Sequence, residues 1–356
     1  MTHFIQGTCL LMCPEKERWI REKEGLLHKF EIDEKTKGAK FPKADPTKTV
    51  KSFSRPAAGL DMTDPSQLRP APVLLSTIRY LFFKIATRTD RNWIVVYDFI
   101  FDRLRAVRQD VAIQRIDAHT SIQLFELITR FLVYSAQRLC ERNINEFNAK
   151  INDQHLAECI TRLLILYDEA KSVRNPVQDL EKCMENLSLY NDREQMEALY
   201  ILLNMGNTDA LTRVLRLPED VRRSSDVKLA MKISLAWYLK NYARVCSLIP
   251  QLSPILACAA MTNIQKIRRT SLKIMSSGYN SKIFTFPGLK LQHILLYKDI
   301  DKVRGDCQLF GLIFTDSNIL FQKANFKDEI QLAYPEMYYT EQSLHTFLPG
   351  ILLNSQ

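Results

Sequence analysis

The sequence predicts a mainly α-helical protein, an array of helices that ends in a small module of two helices and a β-hairpin. Three observations predict it. Glycine is scarce, with 10 in 356 residues, whereas a doubly wound sheet or a β-sandwich would need many turn glycines. From residue 73 onward apolar residues recur at spacings of three and four, which draws one buried stripe on each helix. Near the end that period gives way to two short β-rich runs around Asp316-Ser317-Asn318, a hairpin signal. With 46% apolar residues in 41.4 kDa, the chain can bury two or more packing units.

Residues 1–72 form an N-terminal arm. Pro14, Pro42, Pro46, Pro56, Pro65, Pro70 and Pro72 break it repeatedly. One helix is expected over 15–30, since Pro14 suits a helix start and acidic residues fill the first turn. The remainder reads as extended chain docked on the body, because it cannot build a core of its own.

The helical array occupies 73–276. In 93–111, Trp93, Val96, Ile100, Leu104, Val107 and Val111 make one apolar stripe, and Arg103, Arg105 and Arg108 fall off it. Stretches 122–140 and 156–170 repeat the behaviour, and Asn175-Pro176 marks a break. Shorter helices are expected over 179–188, 193–205, 208–215, 226–237, 241–248 and 253–275. Tight turns such as Met205-Gly206-Asn207 and Leu217-Pro218 join them. Short antiparallel pairs of this kind resemble a tetratricopeptide-like stack, although no fixed-period repeat is present.

Residues 277–340 form the terminal module. Helices are expected over 289–297 and 300–310, the second stopped by Gly311, and LIFTDSNILFQKANF supplies the hairpin. Helix, helix, hairpin is the order of a winged helix. Residues 341–356 are left as a C-terminal tail.

Composition narrows the function classes. No run of about 18 apolar residues exists, so no transmembrane helix is expected. The start lacks the basic-then-apolar order of a secretory signal. The eight cysteines are scattered and mostly lie in helical patterns, which suits a reducing compartment, cytosol or nucleus. Cys9 and Cys13 could supply half a zinc site, but no second close pair follows, with His3 and His28 the nearest candidates. They read as metal-free small side chains anchoring the arm, and no cofactor is expected. The sequence has no Gly-x-Ser-x-Gly elbow, no glycine-rich phosphate loop and no triad spacing around its six dispersed histidines. It does not read as an enzyme.

The net charge of +9 suits an anionic partner. Nine basic residues against two acidic ones lie between Asn263 and Arg304, with Tyr279, Phe284, Phe286 and Tyr297 interleaved. Lys266, Arg269 and Lys273 share one helical face by their spacing, Arg268 sits beside it, and Lys323 and Lys327 lie on the expected wing. These six are the candidate contacts to single-stranded RNA, through phosphates. A solvated helix face explains the same pattern. In the hairpin, Ile313, Ile319 and Phe321 exceed what one core face needs, which marks a candidate partner surface. A hairpin buried on both sides is the other explanation.

GTCLLMCPEKERWIRE (7–22) resembles the opening motif of the Sac-three/GANP family, with Gly7, Cys9, Met12, Cys13, Pro14, Glu15 and Arg18 in place. VKSFSRPAAG (50–59), which contains Arg55 and Pro56, is similar to a second family block. QLRPAPVLLSTIRYL (67–81) and YDFIFDRLRAVRQD (97–110) are similar to two more. The long nucleoporin-like and pore-anchoring extensions of large members are not found, so the chain looks like a short member. The resemblance implies a helical array ending in a winged helix, the PCI-type architecture. It implies a scaffold subunit of a TREX-two-like complex in mRNA export or processing, in the nucleus and cytoplasm. The implied partners are a PCI-domain subunit and a small acidic peptide subunit, with no membrane. The family's short members also suggest an alternative role in centrosome duplication and mitotic spindle assembly.

Overall fold

The computed structural model describes residues 5–56, 62–172, 192–330 and 335–353. The expected break at Asn175-Pro176 and the expected helix over 179–188 lie outside the described residues. The chain divides into two compact units: 1–131, 157–191 and 345–356 form the first, and 132–156 and 192–344 the second.

In the first unit the arm runs from extended chain into helix α1 (Glu15–Lys23). This helix is seven residues shorter than expected, because Gly25 adopts φ +68° and the Leu26 N–H returns to the Arg21 carbonyl at 2.8 Å. Helix α2 (Ala71–Tyr80) follows, started by Pro70 and Pro72, and continues into a π-helical turn, Leu81–Ala86. Helix α3 (Trp93–Gln114) begins where the Asn92 side chain accepts from the Ile94 N–H at 3.1 Å, and ends at Arg115 in the left-handed region. Its apolar stripe is buried as the period requires. Helices α4 (Ala118–Arg138) and α5 (Ala149–Ser172) are the other long elements, and of them the residues through Phe131 and from Ala157 belong to this unit. Phe131 of α4 stacks on Phe82 and Tyr97, with ring centroids 5.8 and 6.0 Å apart.

In the second unit short helices stack in succession: α6 (Arg193–Leu203), α7 (Thr208–Arg216), α8 (Glu219–Arg223), α9 (Ser225–Tyr238), α10 (Tyr242–Leu248), α11 (Pro254–Met261) and α12 (Ile264–Gly278). The expected single helix over 253–275 is two, divided at Thr262-Asn263. Gly206 sits at φ +76° in the turn between α6 and α7, and its N–H donates to Ser234 Oγ at 2.9 Å.

The terminal module comprises β1 (Phe286–Pro287), α13 (Gly288–Ile294), α14 (Ile300–Leu309), β2 (Ile313–Thr315) and β3 (Asn318–Leu320). The sheet order is β1-β3-β2, all antiparallel, with Phe286 and Phe314 both opposite Ile319. The two-residue hairpin turn places Asp316 and Ser317 at positive φ, 45° and 70°, which matches the strand twist. The segment set apart as a tail contains helix α15 (Glu341–Leu353), with Leu344, Leu348, Ile351 and Leu352 buried.

Candidate interaction surfaces

The N-terminal motif builds a buried polar lattice instead of a reactive site. Gly7 has no side chain because a Cβ there would lie 2.3 Å from the Leu68 carbonyl oxygen, and its N–H donates to Gln114 Oε1 at 2.8 Å. Cys9 N–H reaches the Leu68 carbonyl at 3.0 Å, and the Met12 carbonyl accepts from the Lys51 N–H at 3.0 Å and from Arg69 Nη1 at 3.2 Å. Cys13 is buried, with Arg21 Nη2 donating to its Sγ at 3.4 Å. Burial pushes the Cys13 thiol up to about 12, so it stays protonated and unreactive. Pro14 heads α1; Glu15 and Arg18 form a loose pair on that helix, 3.7 Å apart. Arg55 and Pro56 are exposed.

Two fully buried carboxylates organise this lattice. Glu31 pairs with Arg21 at 2.8 Å and Arg103 at 3.3 Å, and accepts from the backbone N–H of His28 and Val50. Asp110 pairs with Lys51 at 2.6 Å and Arg69 at 2.7 Å. Each carboxylate has the charge partners and hydrogen bonds that a buried ion requires. Arg103 was expected off the buried stripe of its helix, yet it is buried, with Glu31 and Asp102 as its partners. Among the described residues no group of three or more His, Cys, Asp or Glu is placed to hold a metal ion. Nor is any helix among them long and apolar enough to cross a membrane.

The six candidate RNA contacts do not form one free face. Arg268 is buried, because it falls on the inner stripe of α12 with Ile264, Leu272 and Met275. Its Nη1 pairs with Glu336 at 2.9 Å, its Nε donates to the Leu295 carbonyl at 3.1 Å, and its guanidinium lies 3.7 Å from the Tyr297 ring centroid. Arg269 and Lys273 both bind Asp328. Lys266, Lys323 and Lys327 are exposed, and the turn Lys323–Asn325 packs against α12.

The hairpin residues divide in the same way. Ile319 and Phe321 are buried in the module's own core, where Phe321 meets Tyr279 and Phe286 in an aromatic cluster. Only Ile313, on edge strand β2, is exposed. The apolar surface lies instead on the loop before the sheet, where Ile283 and Phe284 are 82% and 81% exposed, flanked by Tyr279 and Leu289. The run SKIFTF carried that signal in its two unpatterned apolar residues beside Lys282.

A model of the SAC3/GANP family matches residues 12–316. The chain belongs to the SAC3/GANP family. SAC3 family protein 1 of Schizosaccharomyces pombe is 28% identical over 335 residues, 88% of this chain and 30% of its own length. Protein xmas of Drosophila melanogaster is 23% identical over 351 residues, 94% of this chain and 16% of its own. SAC3 family protein B of Arabidopsis thaliana is 24% identical over 287 residues, 77% of this chain and 16% of its own. The chain spans less than a third of each of these relatives. The SAC3/GANP match covers the arm from Met12, the helical array and the module through β2.

Proposed function

We propose that this SAC3/GANP chain is a non-enzymatic scaffold subunit of a TREX-two-like complex in mRNA export or processing, acting in the nucleus and cytoplasm. Its terminal module serves as a winged helix that pairs with a PCI-domain subunit, in an assembly that includes a small acidic peptide subunit. The observation that carries this reading is the exposed apolar set Tyr279, Ile283, Phe284, Leu289 and Ile313 on a module whose own core is already filled. Edge strand β2 adds backbone groups available for strand pairing. RNA meets the neighbouring lysines Lys266, Lys323 and Lys327, with Lys282 and Lys290, all exposed. Phosphate contacts of this kind give little sequence preference and a steep salt dependence.

The test is co-expression with the PCI-domain subunit. The paired change Ile283→Asp and Phe284→Asp should abolish co-purification while circular dichroism stays unchanged, because neither side chain belongs to the core. A folded double variant that still recovers the PCI subunit in normal yield would reject the surface. Changing Lys266, Lys323 and Lys327 to Glu should weaken RNA binding by the complex without releasing the partner. RNA binding that ignores both salt and these changes would reject the basic face.

A further inference from the structure

The loop that joins α12 to β1 forms a small pocket of about 250 Å³ against Phe321, just after β3. Its walls are aromatic rings: Tyr279 and Phe284, 52% and 81% exposed, with Phe286 and the buried Phe321 completing them. Tyr279 packs on Phe286 and Phe321 with ring centroids 5.2 and 6.2 Å apart, so its ring is braced from within. The loop is also tied down by hydrogen bonds. Ser281 Oγ accepts from the N–H groups of Ile283 and Phe284 at 3.1 and 2.9 Å, and the Ser281 N–H donates to the Phe321 carbonyl at 3.1 Å. Asn280 Oδ1 accepts from the Lys323 N–H at 3.1 Å. A preformed site loses less ordering entropy when a ligand enters it.

The charge around this pocket has one sign. No acidic side chain lines it. Lys282 follows Ser281 in the loop, and Lys323 is tethered to Asn280. Both lysines are exposed, and neither has an ion pair among the described residues. Asn280 and Thr285 also line the pocket, and among the described residues neither the Asn280 amide NH2 nor the Thr285 hydroxyl has a hydrogen bond. Flat ring faces, unused hydrogen-bonding groups and flanking cations together fit a nucleobase with its neighbouring phosphates. An apolar side chain of a protein would cover Asn280 and Thr285 without satisfying them, which costs free energy. A cationic side chain would meet Lys282 and Lys323 as like charges.

We propose that this pocket takes one base of single-stranded RNA, stacked on Phe284 and Tyr279, with its polar edge at Asn280 and Thr285 and its flanking phosphates at Lys282 and Lys323. The proposal rests on the reading that RNA meets the lysines of this module, and it adds a contact to a base to those contacts with phosphates. Ile283, Leu289 and Ile313 lie outside the pocket lining and are left for the protein partner. A volume of about 250 Å³ has room for a planar ring system but not for a folded segment. The ligand is therefore an unpaired base, which a duplex, with its bases stacked on one another, does not present.

The experiment uses the purified full chain and a fluorescein-labelled oligouridylate of about twelve nucleotides, read by anisotropy over a range of salt. Beside it runs an abasic copy with the same sugars and phosphates. The abasic copy should bind at least about tenfold more weakly at equal salt. Phe284→Leu keeps an apolar side chain at an exposed position and should remove most of that difference, and Phe284→Trp should restore it. An oligouridylate carrying 5-iodouridine, irradiated with the chain, should give an adduct that peptide sequencing places on Phe284 or Tyr279. Equal affinity for the two oligonucleotides overturns the proposal and leaves the phosphate contacts standing. So does a Phe284→Leu change that weakens both alike, or an adduct confined to residues outside the pocket. Salt-dependent binding of neither oligonucleotide overturns the RNA reading itself, and this proposal with it.

Discussion

His28 shows how one side chain reports the docking of the arm. Its ring lies against Phe30 and Phe99, with centroids 4.6 and 4.7 Å away, and burial pushes its pKa down from 6.5 to about 4. A folded-state pKa below the unfolded one means that the unfolded chain takes up the extra proton first. Stability contributed by the neutral ring is therefore present above pH 6.5, is lost as the pH falls toward about 4, and changes no further below it. Urea midpoints of wild type and His28→Asn, compared from pH 7 to about 4, should diverge most at the neutral end and converge on acidification. Buried acids such as Asp226 and Asp306, whose pKa values burial raises, act with the opposite sign but are common to both proteins and drop out of the difference. Parallel curves would show that the ring is hydrated in solution. Other residues were less legible. Arg103 and Arg268 read as surface charges because arginine usually is one. Their partners Glu31 and Glu336 lie 72 and 68 residues away, and no local pattern connects them.

At the scale of elements, Gly311 sets how the hairpin leaves α14. It has φ +79°, and a Cβ there would lie 2.4 Å from the Asn325 carbonyl oxygen. Gly311→Ala should destabilise the protein by more than about 1 kcal/mol, through both strain and collision. Ser317→Gly should act in the other direction by up to about 1 kcal/mol, because Ser317 is held at φ +70° in the tight turn. Thermal unfolding of the two variants gives the comparison, and equal effects would reject the turn geometry. Both positions were visible in the sequence as a helix stop and a hairpin signal. The long helices were legible for a related reason, since α3 repeats its apolar residues over several turns. Short elements were not. Helix α8 has five residues and one buried side chain, Val221, so no period can emerge. Strand β1 has two residues, one of them proline, and exists through its pairing with β3. The division at Thr262-Asn263 was hidden because apolar residues continue on both sides of it.

At the scale of the molecule, the arm behaves as part of the body although much of it is extended chain. Among its described residues the turn at Lys37–Phe41 is an exposed stretch, where Lys37 pairs with Glu34 at the surface. The turn is closed at its base by the Asp33 N–H to the Lys43 carbonyl and the Asp45 N–H to the Glu31 carbonyl, both 2.9 Å. Arg21, by contrast, is buried against Glu31, Cys13 and the Val50 carbonyl. Limited trypsin treatment should therefore cut first after Lys37 or Lys40 and spare Arg21. The released ends leave the lattice intact, because Glu31 still joins Arg21 in the arm to Arg103 on α3. The nicked protein should elute as one particle under native conditions and separate only in denaturant. Glu31→Gln leaves two guanidinium groups buried without their shared anion, a loss of about 3–5 kcal/mol. That variant should shed the N-terminal fragment after nicking and become susceptible at Arg21. Size-exclusion chromatography with mass spectrometry of each peak reads both outcomes. A wild-type protein that sheds the fragment without denaturant would show that the buried lattice does not hold the arm. A Glu31→Gln variant that retains it would move the anchorage to the Met12 carbonyl, which accepts from the Lys51 N–H and from Arg69 Nη1 beside the second buried carboxylate, Asp110.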